Sequence, residues 1–246
     1  MLANTFIHMP GFGPRRERRL WGSGIRDWDQ FLERFSPSPF HKSYCSLIAR
    51  SKEALGSKDA LFFSTHLPNS ETWRAFSDFD SVAYVDIETT GLSADSNDLT
   101  VIGLYDGKNT HSYVAGRNLG DFQKDIRRFN FIVTFNGSLF DLPFIRKSMP
   151  GTYLPPIHSD LRFVLQSVGV TGGLKRIEEK FGIERQDDLK GLTGYDAVKL
   201  WQRYEKRGDD HALDTLIRYN AADVVNLKRL MEWAYKEKRA RTGFDG

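Results

Sequence analysis

The chain has 246 residues and a mass of 28.2 kDa; 40% of its residues are hydrophobic and 27% charged, and 35 Lys and Arg face 32 Asp and Glu for a formal net charge of +3. That length and composition exclude a disordered or collagen-like chain and allow one large domain or two small ones. No apolar run approaches the roughly 20 residues needed to cross a bilayer, and a single cysteine, Cys45, excludes an internal disulfide and a thiolate metal cluster.

No cleavable apolar leader opens the chain, so the expectation is a cytoplasmic protein, neither membrane-spanning nor secreted. The pattern changes near residue 80. Residues 1–79 read as short helical pieces broken by Pro and Gly, and residues 80–246 as alternating strands and helices of an α/β sheet domain. A pI near 8.9 permits a polyanionic partner without demanding one. Arg15, Arg16, Arg18 and Arg19 cluster early, and Lys236, Lys238, Arg239 and Arg241 cluster late; each group is either a solvated helix face or counter-charge for a polyanion.

In chain order, Met9-Pro-Gly-Phe-Gly-Pro14 leads into a helix over Arg15 to Trp21, with Pro14 at its first position and Gly22 or Gly24 as its stop. Asp27 and Gln30 form a capping box for a second helix whose stripe is Trp28, Phe31, Leu32 and Phe35. Two helices around a glycine turn resemble a helix-hairpin-helix element, in which the turn's N–H groups meet a nucleic-acid phosphate. The alternative is a helical cap packed on the main domain. Leu61 to Phe79, with Leu61, Phe62, Phe63, Leu67, Trp73 and Phe76, reads as a connector docked on that domain.

Val82 to Ile87 is apolar on both faces and predicts a central strand. Thr100 to Tyr105 and Thr110 to Val114, joined through Asp106-Gly107, predict a hairpin. A helix over Leu119 to Phe129 then precedes a buried strand, Phe131 to Phe135. Further helices are expected at Leu161 to Val168, Leu174 to Phe181, Tyr195 to Lys206 and about Asp209 to Tyr235.

Three groups of residues carry chemistry. Asp86 and Glu88, two apart on a strand, project to one face, where their repulsion raises a pKa or is relieved by a divalent cation. Asp141 follows the buried strand in the apolar run Asn136-Gly-Ser-Leu-Phe-Asp-Leu-Pro-Phe144, where it needs a partner, a coordinated ion or a capping role. Tyr219 and Asp223, four apart on the long helix, share one of its faces. Thr89 to Leu92, Asn136 and Phe140 lie beside these groups as candidate contacts to a terminal nucleotide, with Leu92 or Phe140 stacking on a base and core packing the alternative for Phe140. Lys175, after Gly172-Gly173, either meets a phosphate or merely opens a helix. His158 and Asp160 read as a satisfied polar pair near a strand end.

The wording Asp86-Ile-Glu88-Thr, Phe135-Asn-Gly-Ser-Leu-Phe-Asp141 and Tyr219-x-x-x-Asp223 resembles the three exonuclease motifs of the DEDD superfamily, in the branch with tyrosine in the third motif. It is similar to the proofreading domains of family B DNA polymerases and, more closely, to the YprB-like ribonuclease H-like proteins. The latter likeness extends to the Pro-Gly-x-Gly start and the Leu67-Pro and Trp73-Arg74 connector. The resemblance implies a ribonuclease H-like α/β fold, a mixed central sheet flanked by helices. It also implies 3'-5' exonuclease hydrolysis of single-stranded DNA or RNA ends, without sequence preference, by a two-metal route. Asp86, Glu88, Asp141 and Asp223 would be the ligands, with Asp86 shared by both ions. Hard oxygen donors select Mg²⁺ or Mn²⁺. Tyr219 is a poor base at neutral pH and is expected to orient the attacking water, a role Glu88 could share. The alternatives are a structure-specific endonuclease, a catalytically silent binding module, and a processor of small oligonucleotide remnants.

Overall fold

Strand β1 (Val82–Thr89) has apolar side chains on both faces and accordingly lies at the centre of the sheet. The structure, a computed structural model, describes residues 1–34 and 41–244, so Phe35 of the predicted stripe lies outside the described residues. Strands β2 (Leu99–Tyr105), β3 (Thr110–Val114), β4 (Phe131–Thr134) and β5 (Ile157–Asp160) complete a five-stranded sheet in the order β3-β2-β1-β4-β5. The pairs β1–β2 and β2–β3 are antiparallel; β1–β4 and β4–β5 are parallel. The Asp106-Gly107 turn closes the hairpin as expected. Asp106 Oδ1 accepts from the N–H groups of Lys108 and Asn109, and Gly107 takes φ 94°. β5 has no apolar run and went unpredicted; parallel pairing to β4 holds it.

Helices cover both faces. On one, α10 (Asp210–Thr242) packs Leu227, Leu230, Met231 and Ala234 against Val82, Tyr84 and Val133. On the other, Ala83, Val85 and Ile87 pack with Phe122 of α5 (Phe122–Asp125) and with Leu142 and Ile145 of α6 (Asp141–Ser148). The helix expected over 119–129 is instead α5 between two short 3₁₀ turns, Leu119–Asp121 and Ile126–Arg128. Phe122, Ile126 and Phe129 are its buried anchors, and the chain turns extended at Phe129, φ -108° and ψ 145°, to enter β4. Helices α7 (Leu161–Gln166), α8 (Leu174–Lys180) and α9 (Gly194–Arg207) follow, the last opened by a Thr193–Asp196 capping box. α10 runs past the predicted end at Tyr235, because Tyr235 and the turns beyond it pack on the first 79 residues. The Tyr235 hydroxyl donates to Ser77 Oγ at 2.7 Å, and its ring meets Trp73.

That N-terminal part comprises α1 (Pro14–Gly22), α2 (Trp28–Arg34), the unpredicted α3 (His41–Gly56), α4 (Ala60–His66) and a 3₁₀ segment, Asn69–Ser77. Two corrections apply to the glycine turn between α1 and α2. The N–H groups of Ser23, Gly24 and Ile25 donate back to carbonyls of α1, so the turn does not hold them out to a phosphate. Gln30 reaches the Arg26 N–H rather than that of Asp27, although Asp27 Oδ1 does accept from Gln30 N. Leu61, expected to dock, is 63% exposed, whereas Phe62, Phe63, Leu67 and Trp73 are buried.

One buried cation ties these pieces together. Arg74, on the 3₁₀ segment, pairs with Glu17 of α1 at 3.0 Å and Glu71 at 2.7 Å and donates to Thr5 Oγ1 at 3.0 Å. Glu17 also accepts from Thr5 Oγ1 and Phe6 N, which offsets the burial that pushes its carboxyl pKa up. Removing one partner of such a pair strands a charge. Arg74→Ala is therefore expected to lower unfolding free energy by about 3–5 kcal/mol, read as a shifted urea midpoint with an unchanged m value.

Candidate active site

The even positions of β1 face α10. Val82 and Tyr84 begin that row, and Asp86 and Glu88 end it, so two carboxylates point at the helix from the end of the central strand. The pairing with β2 shifts register just after Glu88, a bulge that ends the regular ladder where the acids stand.

The helix meets them with Tyr219, Asn220 and Asp223, all buried. Oxygens of Asp86, Glu88 and Asp223 lie within 4.8 Å of one another. Asn220, which sequence reasoning passed over, is fully buried between the two strand acids: its amide donates to Asp86 Oδ2 at 2.9 Å and to Glu88 Oε1 at 3.5 Å. This close approach depends on Gly103, the β2 residue opposite Asp86. A Cβ there would sit 2.1 Å from Asn220 Oδ1 and 3.1 Å from Val224.

Asp141 enters from the other direction as the first residue of α6. It stands one place past the Phe140 N-cap, and its Oδ1 is buried without a partner. Asp160, at the end of β5, fixes the loop leading to it. Its carboxylate accepts from Asn136 N at 2.7 Å, Ser138 N at 3.0 Å and Ser138 Oγ at 2.7 Å, holding Asn136 at φ 65°. His158 instead bonds Thr134 Oγ1 at 2.9 Å, so His158 and Asp160 are each satisfied, but not by one another.

Two cations reach Asp223 Oδ1: Lys175 of α8 and Arg185, the latter also paired through two nitrogens with the buried Glu178 at 2.8 and 2.6 Å. Asn226 donates to the same Glu178 at 3.1 Å. Asp223 Oδ2 keeps no protein partner among the described residues. Lys175 Nζ also lies 4.1 Å from the centre of the Tyr219 ring. Lys175 is thus turned into the acid cluster rather than held out toward a phosphate. Among the other candidate contacts, Asn136 Oδ1 accepts from Arg162 at 2.6 Å and Thr89 spends its hydroxyl on the Gly91 carbonyl at 2.6 Å. Leu92 is 89% exposed, and Phe140 is half-buried against Phe144, their centroids 4.9 Å apart.

Burial dominates the electrostatics. It pushes the Asp86 carboxyl well above the usual range, with repulsion from Asp223, Asp141 and Glu88 adding to it. It raises Glu88 to about 8, reinforced by Asp223. Asp141 rises to about 7, mainly through burial, with Asp160 and Asp223 contributing. Burial and the same acids also raise Tyr219, so its hydroxyl keeps its proton. A cluster of acids in which burial and mutual repulsion keep protons on Asp86, Glu88 and Asp141, one with an orphaned oxygen, fits a divalent cation by its donor chemistry.

A mixed sheet whose central strand ends in carboxylates, crossed on that face by a long helix bearing another, is a ribonuclease H-like fold. The family model of the RNase_H superfamily matches residues 83–235, and the chain belongs to that superfamily. Solved structures similar to it include the family B DNA polymerase of Pyrobaculum calidifontis, at 17% identity and TM-score 0.46, covering 64% of this chain and 24% of the polymerase. This chain thus spans about a quarter of that enzyme. Brucella melitensis NrnC bound to pGG is similar at 21% identity and TM-score 0.44, covering 72% of this chain and 80% of NrnC. The Aedes aegypti Nibbler EXO domain is similar at 15% identity and TM-score 0.38, covering 68% and 84% respectively. No curated protein matches the sequence. Among the described residues, no helix is long and apolar enough to cross a membrane.

Raised acid pKa values have a definite sign. Between the unfolded carboxyl values near 4 and the folded values about 7 and 8, the native state binds protons that the unfolded chain lacks, so stability falls as pH rises through that window. The melting temperature without metal is expected to drop as pH rises from about 4 to about 8, and saturating Mg²⁺ or Mn²⁺ to reduce the drop by taking the protons' place. Thermal denaturation with and without cation checks this; a flat profile indifferent to both would contradict it. Asn220→Ala, which leaves the strand acids without their amide donor, is expected to cost about 1–3 kcal/mol in the same experiment at pH near 8, and less near pH 5.

Proposed function

We propose that the chain is a metal-dependent 3'-5' exonuclease of the tyrosine branch of the DEDD superfamily, similar to the YprB-like proteins, acting on single-stranded DNA or RNA ends. The observation that carries this reading is the convergence of Asp86, Glu88 and Asp223 within 4.8 Å, with Asp141 near enough to raise the Asp86 pKa, inside an RNase H superfamily domain.

Asp86, Glu88, Asp141 and Asp223 would hold two Mg²⁺ or Mn²⁺ ions, Asp86 serving both, and bound there these supply Lewis acidity toward the attacking water and the leaving 3' oxygen. Asp223 can offer Oδ2 while Arg185 keeps Oδ1. Tyr219 stays protonated and donates a hydrogen bond that orients the water instead of removing its proton. Glu88 is placed to share that orienting role. Leu92, exposed in the loop that follows Glu88, is suited to a terminal base, as is Phe140, which precedes Asp141 in sequence; Thr89 and Asn136 lie in the turns of those two loops. Lys175 reaches an incoming phosphate only by leaving Asp223, an exchange of one anion for another.

The ion pairs of Lys175 and Arg185 with Asp223 favour one competing reading, a silent nucleic-acid-binding module in which the chain's own cations replace metal. Turnover separates the two. Linear 5'-labelled and circular strands of DNA and RNA, each with Mg²⁺, Mn²⁺ or chelator, are expected to give a ladder from the 3' end of linear strands only, abolished by chelator. Asp86→Ala should lower the rate about a thousandfold or more, and Tyr219→Phe about a hundredfold. Cleavage of circles would indicate an endonuclease, and no turnover with either metal the silent module.

A further inference from the structure

Between the first 79 residues and the sheet lie two cavities that share a wall. The larger, about 500 Å³, extends from Ser138 and Asp160 past Thr72 and His158 to Phe163 and Lys238. The smaller, about 190 Å³, continues from Lys238 and Ser167 to Trp21, Arg18 and Arg241. The inner end adjoins the proposed active site, because Ser138 belongs to the loop that delivers Asp141 and is bonded to Asp160.

Lys238 stands at the join of the two cavities and makes no ion pair among the described residues, although the charge of Glu71, itself committed to Arg74, reaches it. Its ammonium makes a 3.4 Å hydrogen bond to the Ser70 carbonyl and lies 5.0 Å from the centre of the Trp73 ring, with no carboxylate within 4 Å among the described residues. Burial accordingly lowers its pKa. Its neighbours differ: Arg74 is paired with Glu17 and Glu71, and Arg241 with Glu237. Arg18 is exposed and makes no hydrogen bond or ion pair among the described residues. The carboxylates in the walls are each partnered: Glu17 and Glu71 by Arg74, and both Asp160 oxygens by N–H or hydroxyl donors. His158 is neutral, pushed down to about 4 by burial. Phe163, 46% exposed, offers an aromatic face along the larger cavity.

An unpaired, partly desolvated ammonium in a hydroxyl-lined groove suits a phosphodiester, and an exposed aromatic ring beside it suits an unstacked base. We propose that this groove carries the backbone of a single-stranded nucleic acid away from the acid cluster, with Lys238 contacting a phosphate and Phe163 stacking on a base. The proposal rests on the nuclease reading and gives the N-terminal segment a share in holding substrate. The helix between Asp160 and Ser167 spans about 10 Å, roughly three stacked nucleotides. Lys238 therefore meets only strands longer than that.

The test uses the full chain carrying Asp86→Asn, so that binding is measured without turnover. Anisotropy is read with a labelled trinucleotide and a labelled twelve-nucleotide strand at several salt concentrations. Adding Lys238→Gln is expected to weaken the longer strand about tenfold and to reduce its salt slope by about one, and so to shrink its advantage over the trinucleotide. Lys238→Arg should preserve that advantage, and Phe163→Ala should reduce it without changing the salt slope. Melting temperatures verify that each variant is folded. In the chain with Lys238 intact, the longer strand should shield Lys238 from acetylation. Equal losses for both lengths, or no change on Lys238→Gln, would overturn the groove while leaving the nuclease reading intact. Shielding by inorganic phosphate but not by the strand would reassign the groove to a free anion. Failure of every strand to bind would remove both readings.

Discussion

Everything at the end of β1 follows from like charges placed on one face of a strand and then covered by a helix. The two-residue repeat puts Asp86 and Glu88 side by side, and α10 brings Asp223 to within 4.8 Å of them. A core built for stability alone would place apolar residues there, as β1 does at Val82 and Tyr84. The price is visible in the raised pKa values and in the Asp141 oxygen left without a partner. Polar groups that violate the packing logic of their surroundings in this way concentrate where a protein does chemistry.

The chain reduces that repulsion from three directions. Asn220 inserts an amide between the strand acids, and this requires the missing side chain of Gly103; any Cβ would push α10 away from β2. Asp160 gathers the N–H groups of the Asn136 to Ser138 turn and so sets where α6 begins, and with it Asp141. Arg185, anchored on Glu178, holds one oxygen of Asp223. None of these residues belongs to the acid motifs, yet each determines where a motif acid can stand.

The sheet was legible because its determinants are local: an apolar β1, an Asp-Gly hairpin, and a long amphipathic helix. The candidate acids were legible because strand and helix periodicity assigns them to faces. The structure brings Asp86, Glu88 and Asp223 together, with Asp141 adjacent. Asn220 and Gly103 were not legible, since an Asn in a helix and a Gly in a strand acquire meaning only once β2 and α10 are apposed. β5 escaped because Ile-His-Ser-Asp lacks a strand pattern and is held by tertiary pairing to β4. The same limit explains Lys175: of the two readings, a phosphate contact or a helix start after Gly172-Gly173, the helix start is what α8 shows, while the draw of its ammonium to Asp223 depends on α10 and has no local signal.

The two cations on Asp223 differ in kind, and the difference bears on how the cluster can accommodate an added ion. Arg185 is 7% exposed at its side chain and is clamped by a forked pair to Glu178, itself braced by Asn226, so its guanidinium is part of the scaffold. Lys175 is 33% exposed, sits on a flexible four-carbon stem, and makes its one ion pair among the described residues with Asp223, with Asp86 and Glu88 attracting it from further off. A metal arriving beside Asp223 therefore competes with Lys175 and not with Arg185. Displacing a half-solvated ammonium returns it to water at little expense, whereas displacing Arg185 would strand the buried Glu178. The arrangement keeps Asp223 oriented by one cation while the other remains exchangeable.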